Sequence, residues 1–198
     1  MSRVFLEGGG DSKELQVRCR EGFRRLLENC DYAGRMPRLV ACGGRKTAFD
    51  DFKRAHDENS SSEFIAMLVD SEDQIEDIER TWEHLRKRDH ETKPHNATDE
   101  QVLLMTTCTE TWIVCDRAGL KKHYGSCLQE SALPPQTNLE KRTRDSVLQE
   151  LSHATRNCSN AYKKGERSYQ LVGVLTPDVL QARLPSFARV RRILDARL

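Results

Sequence analysis

The 198-residue chain has no apolar run that approaches the roughly 20 residues needed to span a bilayer, which excludes a membrane-spanning helix. The apolar start Val4-Phe5-Leu6 is interrupted at once by Glu7, so a secretory leader is not expected. Cysteine pairs are missing too. The seven cysteines are odd in number and contain no C-x-x-C, which argues against a disulfide framework and against a structural zinc site. The six histidines show no H-E-x-x-H spacing. The expectation is a reduced, cytoplasmic protein whose cysteines pack rather than react. G-x-S-x-G is absent, which removes the commonest serine-hydrolase signature. Gly43-Gly44-Arg45-Lys46-Thr47 lacks the G-x-x-x-x-G-K-[ST] spacing of a phosphate loop, so this chain is not read as an ATPase. There is no internal repeat. There is also no excess of charge of one sign: 32 Lys+Arg face 31 Asp+Glu, which rules out a polycation of the histone kind.

Hydrophobic residues make up only 37% of the chain, but they are gathered into short runs. Arg3–Glu7, Pro37–Cys42 and Phe64–Val69 read as strands, and Val102–Thr107 as a fourth. Between them, Leu15–Asn29 and Thr47–His56 keep helical spacing, and Gln74–Arg88 reads as a charged helix. Glu58–Glu63 and Asp89–Asp99 are polar loops. Phe64–Val69 is apolar at every position, which suits a central strand of a parallel sheet covered by helices on both faces. Glu110–Tyr124 is expected to be helical with Trp112, Ile113, Cys115 and Leu120 inward. Beyond Pro134-Pro135 the chain reads as helices over Leu139–Ala154, Tyr169–Leu175, Pro177–Leu184 and Phe187–Leu198. The fold class is therefore α/β, a mostly parallel sheet flanked by helices, in 1–138, with a basic helical C-terminal extension in 139–198.

In such sheets ligands gather beyond the carboxyl ends of the strands. Acids stand there: Glu7 closes the first strand, and Asp70 with Glu72 follows the third. Carboxylates at the end of an apolar strand lose hydration, and several together repel one another unless a cation neutralises them. Oxygen-only clusters suit Mg²⁺ or Mn²⁺. Asp70 and Glu72 are two apart, so in a continuing extended chain they project to one side and share an ion, with Glu7 approaching from its own strand. Asp11, Asp70 and Asp73 are also in positions where helix caps and first-turn acids are common.

Glu7-Gly8-Gly9-Gly10-Asp11 resembles the E-G-x-x-[DE] signature, and Asp70-Ser71-Glu72 the D-x-[DE] signature, of Toprim domains, found in topoisomerases, primases and the overcoming-lysogenization-defect nucleases. Glu110-Thr111-Trp112-Ile113-Val114-Cys115-Asp116, Tyr162-Lys163-Lys164 and Pro185-Ser186-Phe187 resemble a narrower branch of small Toprim-like proteins found beside ATPases in bacterial defence operons. The resemblance implies a metal-dependent nuclease. Asp70 and Glu72 would hold Mg²⁺ or Mn²⁺, and Glu7 would be a further ligand or the base. Asp11 and Asp73 would hold a second ion; Glu110 is either another acid of the cluster or a first-turn acid beside a core tryptophan, and Lys163 and Lys164 either clamp a phosphate or form a solvated basic turn. Helix N-termini beyond Gly10 and Gly44 would point N–H groups at the same rim. The implied partners are a DNA or RNA substrate and an ATPase, with self-association left open and no membrane. The alternative is a catalytically degenerate Toprim scaffold serving as an adaptor or regulatory subunit.

Charge divides unevenly along the chain. Residues 1–138 carry 20 Lys+Arg and 25 Asp+Glu, whereas residues 139–198 carry 12 and 6. The expectation is a metal-binding acidic part beside a basic part that grips a phosphate backbone in a salt-sensitive way.

Overall fold

The computed structural model describes residues 2–58 and 63–198, apart from the side chain of Glu166. Positions 59–62 of the expected polar loop lie outside the described residues. The chain runs β1 (Arg3–Gly9), α1 (Lys13–Asn29), β2 (Arg38–Gly43), α2 (Arg45–Asp57), β3 (Ile65–Asp70), α3 (Thr81–Asp89) and β4 (Val102–Met105). It continues through α4 (Thr109–Cys115), α5 (Arg117–Tyr124), α6 (Arg144–Thr155), α7 (Glu166–Val172), α8 (Pro177–Arg183) and α9 (Pro185–Arg197).

The strands form a four-stranded sheet of order β2-β1-β3-β4 in which every pairing is parallel. Side chains alternate between its faces. Val4, Leu6, Ala66, Leu68, Leu103 and Met105 enter one core, together with α1, α4 and α6–α9. Phe5, Ile65, Met67, Val69, Val102 and Leu104 enter a second core beneath α2 and α3. This is why β3 is apolar throughout: its even and odd positions are both buried. The order decides which face each connecting helix covers. Successive crossovers are right-handed, so stepping from β1 outward to β2 and then back past β1 to β3 places α1 and α2 on opposite faces. Helices on both sides of position 138 share the first core. Among the described residues no helix is long and apolar enough to cross a membrane.

Several elements differ from expectation for identifiable reasons. β1 runs two residues beyond Glu7 and ends in a bulge, where Gly8 and Gly9 both meet Gly43. These glycines have φ of +138° and +92°, and a Cβ would come within 2.6 Å of the Tyr169 hydroxyl at Gly8 and 2.8 Å of the Gln16 backbone at Gly9. The helix expected from Gln74 begins only at Thr81. Asp77 accepts the Glu79 N–H at 2.9 Å, a local turn that competes with the helix, and Asp99 accepts the Trp82 N–H at 2.9 Å at the real start. The helix expected over Glu110–Tyr124 is two helices. Buried Asp116 ends the first and caps the second, accepting from Gly119 N–H and Thr176 N–H at 2.9 Å each. The last helix begins at Pro185, which suits the first helical position.

The cysteine expectation is corrected in one place. Cys127 and Cys158, 31 residues apart, form a disulfide with their Cα atoms 5.3 Å apart. No sequence spacing marks this pair, because it is made when the segment after α5 lies along the end of α6, where Gln129 N–H donates to the Ala154 carbonyl at 2.9 Å. Cys19, Cys30, Cys42, Cys108 and Cys115 are free and buried. Burial pushes the Cys19, Cys42 and Cys108 thiols up to about 12, which keeps them protonated and unreactive.

Candidate functional site

The strand order reverses between β1 and β3, the place where sheets of this kind have their ligand crevice, beyond the carboxyl ends of the strands. Register aligns Leu6 with Leu68, so Glu7 comes level with Val69 and Asp70 lies one position further along the neighbouring strand. Glu7 Oε2 accepts the Asp70 backbone N–H at 3.1 Å and faces Arg45 Nη1 at 3.3 Å. Asp70, only 7% exposed, turns to the other face. Its Oδ1 accepts from the N–H and hydroxyl of Thr109 at 2.8 and 3.0 Å, at the start of α4.

Glu72 arrives by a different route from the one expected. The extended chain ends at Asp70, and Glu72 adopts a left-handed φ of +66° while its N–H donates to the Thr107 carbonyl at 2.8 Å. This turn, rather than strand alternation, returns its carboxylate to the crevice. One oxygen each of Glu7, Asp70 and Glu72 lies within 4.8 Å of the others.

Burial pushes the Asp70 carboxyl up to about 7, and the charges of Glu7 and Glu110 push in the same direction. The charge of Lys164 and the Thr109 hydrogen bond act against them. Glu110, 1% exposed, accepts the Tyr162 hydroxyl proton through Oε1, whereas its buried Oε2 has no hydrogen-bond partner among the described residues. Burial, followed by the charge of Glu110, raises the Tyr162 phenol, so it remains a donor. The Ser168 hydroxyl lies 2.7 Å from the Tyr162 oxygen.

Other sequence candidates stand further out. Asp11 is exposed and outside the converging group; Ser12, not Asp11, caps α1 by accepting from Leu15 N–H. Asp73 is 71% exposed at its side chain and pairs with Arg88 Nε at 2.9 Å, also outside the group. Lys164 is exposed yet near enough for its charge to act on Asp70. Lys163 is exposed and makes no ion pair with the acids among the described residues.

The sequence did not reveal the arginines around the cluster. Arg144, from α6, donates to Glu72 Oε2, and Arg88 Nη2 lies 3.9 Å from the same oxygen. Arg45 opens α2 directly after Gly44, so the strand-Gly-Gly-Arg pattern was the one available signal. The donor set is composed of carboxylate oxygens, one of its members is pushed up to about 7 by burial and then by its acidic neighbours, and a further buried carboxylate oxygen lacks a partner among the described residues. Such a set fits a hard divalent cation of the Mg²⁺ or Mn²⁺ kind.

A family model described as a domain of unknown function (DUF4276) matches residues 6–195, a span that takes in every residue of this site. No curated protein and no solved structure matches the chain.

Proposed function

The chain belongs to the DUF4276 family, and we propose that it is a metal-dependent, Toprim-like nuclease that hydrolyses phosphodiester bonds of DNA or RNA. The observation that carries this is the convergence of Glu7, Asp70 and Glu72 within 4.8 Å at the point where the strand order reverses. These three residues would hold Mg²⁺ or Mn²⁺, which when bound supplies positive charge to the scissile phosphate and the departing oxygen. Asp70 would hold the ion as a carboxylate, its proton released to solvent. Glu7 is anchored through Oε2 by the Asp70 N–H, which leaves Oε1 to orient a water and take its proton. Tyr162 fixes Glu110 behind Asp70, and that second carboxylate keeps the crevice selective for a cation. The resemblance to proteins encoded beside ATPases extends the proposal to an ATPase partner, a cytoplasmic setting and a role in defence against foreign nucleic acid.

The experiment is cleavage of labelled DNA and RNA with and without Mg²⁺ or Mn²⁺. Glu7→Ala and Asp70→Ala should each lower cleavage by at least about 10³-fold while circular dichroism stays unchanged. Full cleavage by both variants overturns the assignment. A second reading, an ion-free scaffold, is favoured by one specific observation: Arg45 already pairs with Glu7, and Arg144 with Glu72. Calorimetry separates the two, since a scaffold takes up no Mn²⁺ at millimolar concentration.

A further inference from the structure

Gly43-Gly44-Arg45-Lys46-Thr47 has the wrong spacing for a phosphate loop, yet the fold carries Arg45 to the rim of the carboxylate cluster. Its Nη1 reaches Glu7 Oε2 at 3.3 Å and the Asp70 carbonyl, and its Nη2 reaches Asp89 Oδ2 at 2.6 Å. The other Asp89 oxygen takes Arg88 Nη1, and Arg88 Nη2 lies 3.9 Å from Glu72. Arg144 closes the arc on Glu72. Positive and negative groups thus alternate from Glu7 to Arg144, and two of the three acids that meet in the cluster, Glu7 and Glu72, lie on the arc.

Asp89 is the informative member. It is the last residue of α3, where the helix dipole disfavours a carboxylate, and its side chain is only 15% exposed. Two guanidiniums compensate it, one on each oxygen. Its placement therefore keeps Arg45 and Arg88 at the crevice whatever happens to Glu7 and Glu72. A divalent cation held by Glu7 and Glu72 would compete for the Oε2 atoms that Arg45 and Arg144 now occupy. Arg45 would lose Glu7, and Arg88 the Glu72 oxygen 3.9 Å away, while Asp89 keeps both beside the ion with N–H donors that need acceptors.

We propose that Arg45 and Arg88, positioned by Asp89, form a metal-gated clamp for the phosphodiester backbone of a nucleic-acid strand. This rests on the nuclease reading and adds to it the groups that hold the strand. In the metal-free protein the clamp is closed on the protein's own carboxylates; with the ion bound it turns to phosphate oxygens. Metal and strand then bind cooperatively, and linkage requires each to strengthen the other.

The test uses the full chain and two probes, Mn²⁺ alone by calorimetry and a fluorescein-labelled single strand by anisotropy, the latter in EDTA and in Ca²⁺. Wild type should bind the strand at least about 10-fold more tightly in Ca²⁺ than in EDTA. Arg45→Ala should bind Mn²⁺ more tightly than wild type, because a competitor for Glu7 is gone. The same variant should bind the strand about 10-fold more weakly in Ca²⁺, with a salt slope smaller by about one. Opposite signs are the signature, since a purely structural loss weakens both. Asp89→Asn should weaken strand binding in the same way, and Arg45→Lys should restore part of it. An Arg45→Ala variant that leaves strand affinity unchanged, or weakens Mn²⁺ and strand together, overturns the clamp. Inorganic phosphate that displaces the strand at an equal concentration of phosphate groups also overturns it, as the site then takes free phosphate. Wild-type protein that binds Mn²⁺ but holds the strand equally well in EDTA removes the clamp and leaves the nuclease reading standing; failure to bind Mn²⁺ removes both.

Discussion

Two charged regions lie on this molecule, and they are built on opposite principles. Along α9, charge is matched. Arg189, 4% exposed, donates to the Val102 and Asp99 carbonyls at 2.9 and 2.7 Å and to Glu79 at 3.2 Å. Arg192 holds both oxygens of Glu79 at 2.6 and 2.8 Å, and Arg197 holds Glu100. Burial pushes the Glu79 carboxyl up, but Arg192 and Arg189 outweigh it and keep it below the ordinary carboxylate range. At the ends of β1 and β3, acids instead meet acids, and Asp70 is pushed up to about 7. A matched set marks where a chain holds itself together, whereas a buried set with like charges facing each other invites a ligand of opposite sign.

The seam also changes the meaning of the uneven charge along the chain. The acidic first part and the basic last part are joined by these pairs, so Arg189, Arg192 and Arg197 of α9 are engaged by Glu79, the Asp99 carbonyl and Glu100. The cations that face the cluster come from elsewhere: Arg45 and Arg88 from the first part, Arg144 and Lys164 from the second.

Three substitutions sharpen the contrast. The largest effect on stability is expected in the seam, where Arg189→Ala leaves two backbone carbonyls and Glu79 without their buried donor. It should cost about 3 kcal/mol in denaturant unfolding while leaving Mn²⁺ affinity intact. In the cluster the sign reverses. Asp70 has a folded pKa above its unfolded value, so the folded chain binds the extra proton and loses stability as pH rises from about 4 through about 7. Asp70→Asn removes that loss and should stabilise the metal-free protein by about 2 kcal/mol at about pH 8, with little change at about pH 4. In wild type, Mg²⁺ should raise the melting temperature at about pH 8 and barely do so at about pH 4. Equal melting curves for wild type and Asp70→Asn at both pH values would contradict the charge mismatch. The smallest effect belongs to Arg192→Ala, whose pair with Glu79 is half exposed on both sides and should contribute less than about 1 kcal/mol.

Much of the fold was legible. β1, β2 and β3 lie within two residues of their apolar runs, and the unbroken apolar character of β3 announced two covered faces. Glu7 and Asp70 were visible as site candidates because each closes such a run. The bent route of Glu72 was not, since it depends on a hydrogen bond to Thr107 from another strand's end. Gln74–Arg80 misled because its charged residues suit a helix as well as a turn, and Asp77 decides between them locally.

By itself, the sequence determined a parallel sheet with helices on both faces and carboxylates at the ends of two of its strands. Periodicity and strand-end position are properties of neighbouring residues, and they survive without the rest of the chain. Only the tertiary structure decided which charges meet. Arg45 reaches Glu7 across 38 positions, Arg144 reaches Glu72 across 72 and Arg189 reaches Glu79 across 110. Electrostatic energy depends on distance and burial in space, and neither can be read from spacing along the chain. The 32 cations and 31 anions in the sequence therefore become a structural seam in one place and a candidate metal centre in another.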